Sequence, residues 1–155
     1  MTGSGNIKRA FFFLPFSFLT FYLFSQTAQK IERLLGINAV SYGDAAQLAL
    51  EAADVLAATT TTAAFSYALE QGWLPGRVEA GDSARLDTVS LLLMKSFDIQ
   101  GGLFYRFTKN SHYAYRELVY LNVIQGIHDP SIAVSGDLLL FMVNRLLSYR
   151  EVGQI

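Results

Sequence analysis

The residue types best suited to chemistry crowd into one short stretch. Tyr105, Arg106, Lys109, His112, Tyr113, Tyr115 and Arg116 interleave aromatic rings with cations over twelve positions. Aromatic faces stack on sugar rings, and guanidinium or ammonium groups neutralise carboxylate or pyruvate substituents, so the pattern fits an anionic carbohydrate better than a reacting centre. The competing interpretation makes Tyr113 and Tyr115 core residues of a helix and pairs Arg116 with a nearby acid. Gly101 and Gly102 precede the stretch, which makes it an addition to the surrounding pattern, and such additions often carry function.

Catalytic signatures are missing from the sequence. There is no cysteine, which removes thiolate chemistry, disulfides and lipid attachment through cysteine. His112 and His128 are the only histidines and lie sixteen residues apart, a spacing that implies no metal site. Cleavage of a glycan would need two placed acids or a metal, and no such pair is assignable. The expectation is a non-enzymatic protein with no cofactor and no metal.

The elements that must position the aromatic and basic cluster read as helices. A helix is expected over Gly43–Ala58, capped by Ser41, with Ala45, Leu48, Ala49, Ala52, Val55 and Leu56 at three-and-four spacing. Further helices are expected over Ala63–Gln71, from Asp87 or Thr88 to about Phe97, over Tyr113–Asn122, and from the Ser135 cap to about Ser148. Ile31–Leu35 reads as a short amphipathic turn ended by Gly36, and LFYRF (103–107) as a possible short strand. Trp73 sits in an apolar turn and is assigned to packing. Asp87 and Asp137 stand near helix starts, where a carboxylate complements the helix dipole.

A block of the sequence recurs with a shift of fifty positions. Ala64 falls on Ala114, Phe65 on Tyr115, Leu74 on Ile124, Gly76 on Gly126, Val89 on Leu139, Leu92 on Met142 and Lys95 on Arg145. The first long helix joins the scheme: Val40 aligns with Ala84 and Val134, and Ala45 with Val89 and Leu139. The expected fold is therefore all-α, with half a unit and then two whole helix–loop–helix units. Its three second-type helices would surround a pseudo-threefold centre.

The N-terminus has the parts of an export signal: Lys8 and Arg9, the uncharged run Ala10–Phe24, then Ser25, Gln26, Thr27 and Ala28. The fifteen-residue run is shorter than the ~20 residues a bilayer span needs, and Pro15 interrupts it. The expected division is a signal or uncleaved anchor over 1–28, a helical domain over 29–150 and a tail over 151–155. Without Lys8 and Arg9 the domain carries ten basic residues against thirteen acidic, which argues against nucleic acid. Membrane contact is expected only through an uncleaved N-terminal segment.

The repeat resembles that of S-layer homology domains. AAFSYALEQGWLPG and YAYRELVYLNVIQG are similar to the first helix and turn of that family; VSYGDAAQLALEAADVL, ARLDTVSLLLMKSF and VSGDLLLFMVNRLL are similar to the second. The likeness covers roughly residues 39–148. The resemblance implies a bacterial envelope or periplasmic module that binds peptidoglycan or an associated wall polysaccharide. The family's Thr-Arg-Ala-Glu signature is replaced here by Ser41-Tyr42-Gly43-Asp44, Arg85-Leu86-Asp87-Thr88 and Ser135-Gly136-Asp137-Leu138. With the signature's arginine absent from its position, the expected glycan contacts move to the 105–116 cluster. The alternative is an envelope protein adaptor or assembly subunit, which an exposed apolar face would favour.

Overall fold

The computed structural model describes residues 28–126 and 129–153. The expected export segment up to Thr27, and His128, lie outside these residues. Contacts divide the chain after Arg33. Residues 28–35 are helical (α1), where a single turn was expected. From Leu34 onward the order is α2 (Tyr42–Ala52), α3 (Thr61–Glu70), α4 (Leu86–Ser96), α5 (Leu103–Thr108), α6 (Ser111–Tyr120) and α7 (Gly136–Glu151). The fold is all-α: among the described residues β-structure is limited to two isolated bridges, Ser41 with Ser83 and Arg85 with Ala133.

Local chemistry sets the helix starts. Ser41, Thr60, Asn110 and Ser135 each accept a hydrogen bond from the backbone N–H three residues on, which satisfies a donor the helix itself leaves open. Arg85 precedes α4 without such a bond, and Asp87 instead accepts from the Thr88 N–H at 2.7 Å.

The helix ends share a second device. Asp54, Gly72, Asp98 and Asn122 have positive φ, two residues beyond the ends of α2, α3, α4 and α6. At each, paired bonds close the end in a Schellman motif; Gly72 N–H donates to Leu69 O and Trp73 N–H to Ala68 O. The residue after the left-handed position is apolar every time (Val55, Trp73, Ile99, Val123) and folds back onto the core. Asp54 thus ends α2 six residues before the expected Ala58. Aspartate tolerates the left-handed region better than most residues, so it ends the helix where glycine more often would. Beyond it, Glu51 accepts from Thr59 N–H at 3.0 Å and Gln47 donates to Thr59 O, which pins the α2–α3 connection.

Three chain-distant segments meet at the centre. Val40 N–H donates to Val134 O (2.8 Å), Val134 N–H to Ala84 O (2.9 Å), and Ala84 N–H to Val40 O (2.8 Å). The ring is closed, and all three residues are fully buried. These are the three positions that the repeat in the sequence superposes. A second layer follows: Tyr42 N–H donates to Asp82 O, Leu86 N–H to Ile132 O, and Gly136 N–H to Ile37 O. Gly136 lies so close to Leu34 that an added Cβ would collide with its carbonyl oxygen. Around the ring, Ala45, Val89, Leu92, Leu139 and Met142 are fully buried.

Candidate functional site

Between α4 and α6 the chain inserts α5, at the place where the α2–α3 connection (53–60) has no helix. LFYRF is helical, not the short strand considered from sequence. Two glycines let α5 lie close to its neighbours. A Cβ on Gly101 would sit 2.7 Å from the Tyr105 ring, and one on Gly102 2.7 Å from Glu117 Oε1. Gly101 also has φ of +59°, which suits glycine. Lys109 takes the left-handed conformation that ends α5, and Asn110 then caps α6 by accepting from Tyr113 N–H at 3.0 Å.

Tyr105 is the inward anchor of α5, only 3% exposed. Burial, then the negative charges of Asp98 and Glu117, push its phenol up to about 12. It is therefore a wall residue and not a free stacking surface. With Met94 and Ile99 it forms the apolar floor of a cleft of about 280 Å3. Lys95, Arg106 and Lys109 bring positive charge to that cleft, with Asp98 and Gln100 beside them. Burial lowers the Lys95 pKa, and repulsion from Lys109 lowers it further. Ion pairs between described residues include Arg85–Asp87 and Arg150–Asp54, and among the described residues none of the three cleft cations is bridged to a carboxylate.

The remaining sequence candidates divide. Tyr113 is half-buried, stacked on Phe104 with ring centroids 5.6 Å apart and planes 12° from parallel, and His112 meets its edge at 5.3 Å. Arg116 is exposed on α6 and Tyr115 is half-buried; neither lines the cleft. Trp73 packs edge-on against Tyr67 at 5.8 Å, in keeping with a packing role. Lys95 escaped the sequence reading because it follows the apolar run Leu91–Met94 and aligns with Arg145. Also unforeseen were the outward side chains of α5, Leu103, Phe104 and Phe107, which are 69%, 71% and 85% exposed.

Among the described residues no group of three His, Cys, Asp or Glu could hold a metal ion, and no helix is long and apolar enough to cross a membrane. In comparisons with known proteins, no family model, curated protein or solved structure matches the chain.

Proposed function

We propose that the protein is a non-catalytic bacterial envelope module, of S-layer-homology-like architecture, that binds an anionic wall polysaccharide or peptidoglycan in the cleft between α4 and α5. One observation carries this reading: Lys95, Arg106 and Lys109 meet at one cleft, and among the described residues none of them is bridged to a carboxylate. Burial, and after it repulsion from Lys109, lowers the pKa of Lys95, and a bound anion would relieve the repulsive part. Tyr105 and Ile99 close the bottom of the cleft. The ring of Val40, Ala84 and Val134, at equivalent positions of the repeat, supports three second-type helices about a pseudo-threefold centre.

The test is co-sedimentation of the full chain with purified cell-wall sacculi at increasing salt. Binding is expected to fall as salt screens exposed charges over ~8 Å at physiological ionic strength. Arg106→Ala with Lys109→Ala is expected to weaken it further with little change in melting temperature, because both side chains are exposed. Unchanged binding by a folded double variant removes this site. A folded parent that ignores sacculi turns the reading towards the adaptor alternative.

A further inference from the structure

α5 is built inside out. An amphipathic helix on a globular protein buries its apolar stripe and exposes its polar one. Here Tyr105 faces the core, while Leu103, Phe104 and Phe107 project into solvent. At 100° per residue those three fall on one continuous arc roughly opposite Tyr105, and Arg106 borders it. The apolar arc is therefore a coherent face. Phe107 is the most exposed large apolar residue of those described.

Cations border the exposed face, while the carboxylates of Asp98 and Glu117 act on Tyr105, on the inward side of α5. Residues 99–116 contain Arg106, Lys109 and Arg116 and no carboxylate, in a chain whose net charge is −1. Arg106, Lys109 and Arg116 are all exposed. Protruding apolar side chains bordered by cations match the two layers of an anionic lipid surface, acyl chains beneath and phosphates above. A protein partner has little to grip: the three side chains sit on a six-residue helix about 9 Å long, small beside the roughly 800 Å2 that each partner gives a standard interface. A bilayer needs no minimum contact area, only insertion depth and charge.

We propose that α5 docks the protein on an anionic membrane surface, with Leu103, Phe104 and Phe107 entering the headgroup–acyl boundary and Arg106 and Lys109 meeting lipid phosphates. This contact differs from the membrane attachment expected of the N-terminal segment; it shares Arg106 and Lys109 with the glycan reading but adds the apolar side of α5, which the cleft does not use.

The experiment is flotation of the full chain with vesicles of phosphatidylcholine alone or with about 30% phosphatidylglycerol. The parent is expected to float with the anionic vesicles and not with the neutral ones. To isolate α5 from any N-terminal contribution, the same assay is run on Leu103→Ser/Phe107→Ser. This variant spares Phe104, which stacks on Tyr113, and circular dichroism melts confirm that it is folded. Its affinity is expected to fall by about tenfold or more. Arg106→Gln and Lys109→Gln are each expected to lower affinity about fivefold. The apolar variant should still sediment with sacculi if the cleft binds glycan, so the two readings fail separately. Equal flotation of the folded Leu103→Ser/Phe107→Ser variant and the parent overturns the proposal. So does a parent that floats with neither vesicle. Self-association that the same variant abolishes, without vesicle binding, assigns the face to a second copy and also overturns it.

Discussion

Replacing Gly136 by alanine sets two effects against each other. Alanine gains up to about 1 kcal/mol of helix propensity over glycine, and less at the first position of a helix. Against this, the new methyl would collide with the carbonyl oxygen of Leu34. That oxygen belongs to backbone, so no side chain can swing away. Forced overpacking costs about 1–3 kcal/mol. Separating the segments also strains the 2.8 Å bond from Gly136 N–H to Ile37 O, worth about 1 kcal/mol. The clash wins, with a net loss of about 1–3 kcal/mol. For a chain of this size that is a fall of roughly 3–10 °C in melting temperature. Gly81→Ala is the control: a methyl group there would have nothing within 4 Å and the glycine's φ is ordinary, so neutrality or a gain of up to about 1 kcal/mol is expected. Urea unfolding of the two variants beside the parent decides the matter. Gly136→Ala as stable as the parent would refute the close approach of Leu34 and α7.

Leu92→Ala and Met142→Ala are each expected to cost about 2–5 kcal/mol by urea unfolding, since both side chains are fully buried. Alkaline titration followed at 295 nm should show Tyr105 ionising near 12, above the usual phenol value. A phenol with a raised folded pKa stabilises fully below the unfolded value of about 10, and that stability is lost as pH climbs through 12; Tyr105→Phe should therefore flatten the decline over this window. Lys109→Gln should raise the pKa of Lys95, read by NMR of its side-chain carbon, because one source of repulsion is gone. Arg150→Ala should change stability by no more than about 1 kcal/mol, as its 2.7 Å pair with Asp54 is exposed.

Helical periodicity and hydroxyl caps made much of the fold legible. Ser41 and Ser135 cap the helices expected of them, and the all-α class follows from the same spacing. The α2 boundary was missed because its stop is Asp54, a residue that only the closed Schellman bonds distinguish from helix interior. LFYRF was ambiguous because a short apolar and aromatic run has no period of its own. Local sequence does not encode which side of α5 faces inward; the close approach of Tyr105 to Gly101 and Met94 decides it. Arg106 and Lys109 were visible as a pair. Lys95 was not, because its role depends on α5 returning beside the end of α4.

The central hydrogen-bond ring bears on how the chain is made. Its members lie in the first, middle and last thirds of the sequence, so synthesis delivers them far apart in time. Until Val134 leaves the ribosome, the Val40 N–H has no acceptor and the Ala84 carbonyl no donor. Earlier helices can form and pair locally, but the middle of the domain stays open until its last segment arrives. Completion is then a single late event that ties beginning to end. A chain cut short before Val134 should be an easy substrate for proteases, whereas one that has passed it should become resistant abruptly.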